Sequence, residues 1–352
     1  MTSAPSSQLQ THYNKGLLLF SSLLTGLIVC LILVGAQVTS TNSGLSVPDW
    51  PTSYGYNMFA FPFERWLGPR FWTNPIFWEH SHRLFASLTG TLTLVLAVWI
   101  WMVDRRPWLR WVATAAVGLV ILQGVVGGLR VVFKWNDFGI PHAAMAQLFL
   151  LTIGFIALTY TRGWNRLPRH AERLPRQWQR GIHIVLGLIF LQLILGATMR
   201  HQHHGLAIPD FPAAYRHLWP HITPERLDEI NAGRLLDGQP ATSILEIHLQ
   251  LIHRFMALVI FIGIFTCSLA IFRCRQSPPR LRNLAILWLA LVSLQVCLGA
   301  ATIWTGKNPV VTSAHVVTGA LLFLVGSHMA ALVSRWRRAA VTGALAPQPV
   351  LS

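Results

Sequence analysis

The sequence predicts an all-α membrane protein, with eight transmembrane helices arranged as two tandem four-helix bundles related by a pseudo-two-fold axis along the membrane normal. Three observations predict it. The 352-residue chain is 53% hydrophobic and only 11% charged, which is too little polar surface for a water-soluble globule of this length. Eight stretches run for 18 residues or more without Asp, Glu, Lys or Arg, at 16–48, 84–103, 111–129, 138–161, 181–199, 255–272, 283–306 and 308–334, and about 20 apolar residues cross a bilayer as helix. The third observation is that the last four stretches repeat the first four.

Residues 1–15 contain one basic residue and no Arg. That makes a poor mitochondrial presequence, and no small-residue cleavage site follows, so a retained cytoplasmic tail is expected. The first four spans form an N-terminal half, 16–162, a linker follows at 163–180, the last four spans form a C-terminal half, 181–334, and 335–352 is a second tail. The formal net charge of +16 invites a nucleic-acid partner, but topology explains it better. With Lys15 on side one, that side holds 17 basic residues against Asp104 and Glu172. The opposite side has nine Lys or Arg and ten acids, with Arg83 and Arg254 at helix starts. By the positive-inside rule both termini are cytoplasmic, in a bacterial plasma (inner) membrane, and the loops 37–80 and 200–246 face outward. The basic residues touch lipid headgroups, and no nucleic acid is expected. All four cysteines, Cys30, Cys267, Cys274 and Cys297, lie in or beside spans, so neither outer loop holds a disulfide.

VGAQVTSTNSGLSVPDWP (34–51) aligns without gaps on LGATMRHQHHGLAIPDFP (195–212), an offset of 161. HRLFA at 82–86 matches HRFMA at 253–257, LQGVVG at 122–127 matches LQVCLG at 294–299, and PHAAMAQLFL at 141–150 matches AHVVTGALLFL at 314–324. Four spans per half is an even number, so both halves enter the membrane from the same side. The Gly and Ala residues near the outer ends of the third, fifth and seventh spans read as helix-packing residues. In each loop Gly-Leu-x-x-Pro-Asp reads as a turn, with the Asp free to cap a short helix over the bundle mouth.

Of 15 histidines, the repeat singles out His82, His142, His253 and His315. They form two matched pairs, separated within each half by 60 and 62 residues, and all lie near the outer ends of even-numbered spans. Two imidazoles across an apolar four-helix bundle suit bis-His haem ligation, whereas zinc usually needs three or four protein ligands and neither half offers a third. The halves differ in one respect. Glu79 stands three residues before His82, and the matching position before His253 is Gln250, so acid/base or cation-stabilising chemistry is expected in the first half. The plainer reading of Glu79 is a helix cap or a partner for Arg83. Arg83 and Arg254, each directly after a histidine, are candidates to pair with haem propionates or loop acids. The run RHQHH at 200–204 could gather a metal at His201, His203 and His204, but the repeat does not support it.

Taken together, the GLSVPDWP and GLAIPDFP loops, EHSHR at 79–83, and histidines at the outer ends of the even-numbered spans resemble the haem A synthase family over about 16–334. The resemblance implies an oxidoreductase that oxidises a ring methyl of haem O to a formyl group by successive hydroxylations, giving haem A for terminal oxidases. It implies that His253 and His315 hold a haem b cofactor, that His82 and His142 belong to the substrate haem site, and that Glu79 is needed for activity. Glu79 would stabilise positive charge at the oxidised methyl or take a proton from attacking water. Haem O synthase and an electron-transfer protein are the implied partners, with a homo-oligomer among the assemblies open to the chain. Many members carry cysteine pairs in the outer loops. This sequence resembles the subgroup without them, and its loop 213–246, read as a surface helix and turn, is longer than its counterpart. The alternative is a di-haem b, quinol-linked electron-transfer cytochrome with no haem-modifying activity. A transporter would place its broken helices at mid-membrane, whereas here Gly and Pro gather at helix ends.

Overall fold

The computed structural model describes residues 13–165, 175–275 and 277–341; most of both expected tails and the middle of the linker lie outside them. Eight helices are long and apolar enough to cross a membrane. They run Lys15–Ser40, Pro75–Val103, Pro107–Phe133, Gly139–Thr159, Arg176–His201, Ile244–Arg273, Pro279–Trp304 and Pro309–Val341, and are called the first to eighth spans. No strand is found among the described residues, only two isolated bridges. The chain is a multi-pass membrane protein.

The helix starts carry ordinary signals. Pro75, Pro107 and Pro279 occupy first turns, where a missing N–H costs nothing. Asn14, Asn74 and Ser243 cap the first, second and sixth spans by accepting from Leu17 N, Ile76 N and Glu246 N. Two starts differ from expectation. The charge-free stretches begin at 84 and 255, yet the second and sixth spans start at Pro75 and Ile244. Arg83 and Arg254 are thus interior helical residues, tolerated there because their guanidinium groups are hydrogen-bonded within the protein.

The first four spans pack in a ring, first on second, second on third, third on fourth and fourth on first; the fifth to eighth do the same. The first, fourth, fifth and eighth spans join the rings. The fourth and eighth are the most enclosed, with 50% and 67% of their apolar windows buried against 22–28% for the other six. Each ring has its own apolar core, built around Leu24, Ile100 and Ile153 in the first and Trp288, Ile264 and Trp336 in the second. Ala320 and Leu324 of the eighth span pack into the first core, and Leu158 and Trp164 into the second. Helices in lipid associate through such close packing, since lipid tails remove the hydrophobic incentive.

Candidate functional site

The two outer loops are built alike. In the first, Asp49 accepts hydrogen bonds from Thr52 Oγ1 (2.5 Å), Tyr54 N (2.6 Å) and Gly55 N (2.8 Å), and Tyr54 Oη donates to Ser46 O. In the second, Asp210 accepts from Tyr215 N (2.8 Å) and Arg216 N (3.0 Å), and Tyr215 Oη donates to Ala207 O. Each pair of central residues has positive φ, 51° and 76° at Tyr54 and Gly55, 50° and 68° at Tyr215 and Arg216. The flanking residues Ser53 and Tyr56, or Ala214 and His217, exchange both backbone hydrogen bonds. This is a primed two-residue hairpin turn, whose successive N–H groups point at one acceptor. The aspartates therefore close turns and do not cap short helices, because the left-handed residues turn their amides onto the carboxylate. Burial raises the Asp49 carboxyl, but the Gly55 amide, the Thr52 hydroxyl and the Tyr54 amide outweigh it and hold it below the usual carboxylate value.

A latch fastens each loop to the helix carrying the histidine. Arg83 Nη1 donates to Asp49 O (2.7 Å) and Thr52 O (3.0 Å), and Nη2 to Val47 O (3.0 Å) and Glu79 Oε1 (2.9 Å). Arg254 donates to the matching Asp210 O (2.8 Å), Ala213 O (2.8 Å) and Ile208 O (3.4 Å). Arg83 and Arg254, the expected partners of propionates or loop acids, direct these donors to loop carbonyls and, at Arg83, to the Glu79 carboxylate. Glu79 Oε2 accepts from Val47 N (2.9 Å), and Gln250 Oε1 accepts from the equivalent Ile208 N (2.7 Å). Glu79 and Gln250 thus make one shared bond, and they differ in charge. The Glu79–Arg83 ion pair is buried, while Arg254 has no carboxylate at the corresponding place. Over the first latch, Phe61 and Trp66 pack on the His80 ring, and His80 Nδ1 meets Ser53 Oγ at 3.3 Å.

The four singled-out histidines share a feature that sequence reasoning missed. Each ring lies with its Cε1 edge against a glycine of the preceding span. An added Cβ would stand 2.8 Å from His82 Cε1 at Gly35, 3.2 Å from His142 Cε1 at Gly127, 3.4 Å from His253 Cε1 at Gly196 and 3.1 Å from His315 Cε1 at Gly299. Gly35 matches Gly196 in the repeat, and Gly127 matches Gly299. Gly127, Gly196 and Gly299, which the sequence suggests as helix-packing residues, are with Gly35 seats for imidazoles, and the matched spacing of each glycine to a matched histidine was the available signal. The Nδ1 atom of every one of the four is enclosed without a hydrogen-bond partner, although the residues as a whole are only half-buried. With Cε1 on glycine and Nδ1 shut in, Nε2 is the remaining nitrogen of each ring, and at His315 it meets Gln295 Nε2 at 3.4 Å. Glutamines fix the helix backbone beside them: Gln123 Nε2 donates to His142 O (3.0 Å) and Gln192 Nε2 to His253 O (2.9 Å).

The His82 and His142 ring centroids are 6.5 Å apart, at an interplanar angle of 73°. Metal–imidazole bonds of about 2.0–2.1 Å on each side, with roughly 1 Å more from ring nitrogen to centroid, fill that gap with one ion. The separation of the pair therefore suits two imidazoles that would hold one haem iron between them. Among the described residues no group of three or more His, Cys, Asp or Glu side chains gathers as a metal cage. In the RHQHH run His201 packs against Gly139 at the start of the fourth span, and His204 Nε2 faces Glu246 Oε1 at 3.5 Å. The loop 213–246 contains the expected surface helix, Pro224–Leu236, capped by Thr223 and tied down by paired bonds between Asn231 and Thr242.

Fold and site together define a multi-pass membrane protein with a glycine-seated histidine pair in each of two four-helix rings, and a latched loop over each. The chain belongs to the cytochrome oxidase assembly protein family, whose model matches residues 18–326. It is 27% identical to the heme A synthase of Geobacillus kaustophilus, covering 94% of this chain and 96% of that protein. It is 26% identical to the heme A synthases of Caulobacter sp. (94% and 99% covered) and Shouchella clausii (89% and 95% covered).

Proposed function

We propose that this chain is a haem A synthase, oxidising a ring methyl of haem O to the formyl group of haem A. The observation that carries the reading is the 6.5 Å separation of the His82 and His142 rings, in a chain of this family whose relatives over nearly its full length bear that name. In this reading the N-terminal half, 16–162, takes haem O between His82 and His142, and the C-terminal half, 181–334, holds haem b between His253 and His315. Haem b, when bound, supplies one-electron redox capacity. The chain's own residues do the rest. Gly35 and Gly127 let the rings approach without a Cβ between helix and imidazole, the loop 44–56 keeps water from the bundle mouth, and Arg83 holds that loop closed.

Glu79 is the proposed catalytic residue. It stands one helical turn from His82 and keeps a carboxylate in the substrate half where the other half has an amide, which suits stabilising positive charge at the reacting methyl or accepting a proton there. Both of its oxygens are engaged in the closed loop, so accepting a proton goes with release of the Val47 amide or of Arg83. The charge asymmetry of the loops supports a plasma-membrane orientation with both termini cytoplasmic and both pairs toward the outer face. Haem O synthase and an electron-transfer protein are the partners this chemistry calls for. The test is pigment extraction from membranes that make haem O, with and without this protein. A formyl-haem spectrum that depends on the protein is the expected result; unaltered haem O, with two haems cycling on quinol addition, would establish an electron-transfer cytochrome instead.

A further inference from the structure

Arg130, Arg200 and His201 are among the cationic or titratable side chains that neither the latches nor the histidine pairs use. Arg200, near the end of the fifth span, reaches across to the other half, where its Nη2 donates to Ser40 Oγ (2.7 Å) and Ala36 O of the first span. Ser40 Oγ in turn meets Ser313 Oγ of the eighth span at 3.3 Å. Arg130, one turn beyond the Gly127 seat of His142, lies against Gly44 in the first loop, where a Cβ would stand 2.7 Å from its Nη2, and holds Asn136 Oδ1 at 3.4 Å. The two guanidinium groups therefore bracket the segment 36–44 that follows the Gly35 seat of His82. His201 lies on Gly139, three residues before His142. The field of Arg130 reaches His82, His142 and His201, and that of Arg200 reaches His201 and, in the other pair, His315.

Neither Arg130 nor Arg200 forms an ion pair with an acid among the described residues. The carboxylate whose field reaches Arg130 is Glu79, and its oxygens are already held by Arg83 and Val47. Arg130 Nε and Arg200 Nη1 are shut off from solvent with no hydrogen-bond partner. Enclosed, unmet guanidinium donors are costly, and inside membrane-spanning helices they are kept where they meet a ligand. Planar forks of N–H donors match carboxylates.

We infer that Arg130 and Arg200 form an anion site that takes the carboxylates of the porphyrin seated between His82 and His142. The inference rests on the reading of that pair as a haem site, and it moves carboxylate recognition from Arg83 to residues at the junction of the two halves. Because Arg200 comes from the fifth span, the C-terminal half contributes to binding in the N-terminal half.

The experiment uses the full-length purified protein with its resident haem in place, titrated with iron protoporphyrin or its dimethyl ester. The readout is the Soret change that a His82→Ala protein fails to give. The free acid is expected to bind roughly 10- to 100-fold tighter than the ester, the range of a charge-assisted hydrogen bond. Arg130→Gln and Arg200→Gln bring that ratio toward one while leaving ester affinity unchanged, and Arg130→Lys recovers part of it. Equal affinities of acid and ester in the wild-type protein would overturn the anion site, as would Gln variants that keep the full ratio. The wild-type ratio decides the matter even where a variant fails to fold. If neither porphyrin gives a His82-dependent band, the reading of the histidine pair falls, and the anion site with it.

Discussion

Replacing Gly35 by alanine tests the seat beneath His82 directly. The new methyl carbon would stand 2.8 Å from His82 Cε1 and 3.2 Å from Nδ1. Carbon–carbon contact is comfortable at about 3.5–4.0 Å, so the ring or the first span must retreat by roughly 0.7–1.2 Å. A displacement of about 1 Å in a positioned reacting group costs on the order of 100-fold in rate. Stability moves less. Alanine gains about 0.8–1.0 kcal/mol of helix propensity over glycine, against roughly 1–3 kcal/mol for overpacking, leaving the melting behaviour nearly unchanged or modestly lower. Haem A formation per folded protein, with a thermal melt in detergent as the control, separates the two effects. Gly196→Ala is the companion: its Cβ would stand 3.4 Å from His253 Cε1, close to ordinary contact, and it should keep haem b and turn over within roughly two-fold of wild type. Wild-type turnover and an intact His82-dependent spectrum in Gly35→Ala would refute the seat, and so would equal damage from both substitutions.

Glu79→Gln and Glu79→Ala separate charge from latch. Gln250 shows that an amide can hold the loop amide, so Glu79→Gln should keep the loop closed to limited proteolysis yet lose on the order of 100-fold in turnover, whereas Glu79→Ala should lose both. Retained turnover in Glu79→Gln would leave the residue with the latch alone. His253→Ala is expected to lose the haem b absorbance signature, and His82→Ala to keep most of it while losing turnover. Equal haem loss in the two would contradict the division between halves. Asp49 supplies a pH test. Its folded pKa lies below the usual carboxylate value, so its contribution is complete above about pH 4 and is lost as pH falls through the folded pKa. Hydrogen exchange of the 49–56 amides should be equally protected at pH 5 and pH 8 and loosen only in stronger acid; an Asp49→Asn loop showing the same acid loosening would assign it to another group.

Much of this architecture was legible because lipid imposes simple rules. Eight apolar runs gave eight spans, and the repeat picked four histidines out of fifteen. The second and sixth spans begin at Pro75 and Ile244, ahead of the expected starts at His82 and His253, because a charge-free criterion cannot see that Arg83 pairs with Glu79 and that both arginines are hydrogen-bonded to loop carbonyls 30 to 50 residues away. Asp49 and Asp210 looked like helix caps because a Pro-Asp pair is compatible with either element; the left-handed backbone at Tyr54 and Tyr215 decides it, and neither residue advertises that conformation. The glycine seats were present in the repeat as matched glycines and matched histidines, but which glycine faces which ring depends on helix packing. Arg130 and Arg200 left no trace in the repeat, since the matching positions are Thr302 and Thr39. They act across the junction between halves, where the two copies necessarily differ.

The two loops over the histidine pairs are fastened by Arg83, Arg254, Asp49 and Asp210 through hydrogen bonds and, at Arg83, an ion pair with Glu79, while the four cysteines stay free in the helices or beside them. Fastening these loops therefore needs no thiol oxidant and leaves no bond for a reductant to cut. The loops can therefore close as soon as the helices are inserted, in a reducing environment as readily as in an oxidising one.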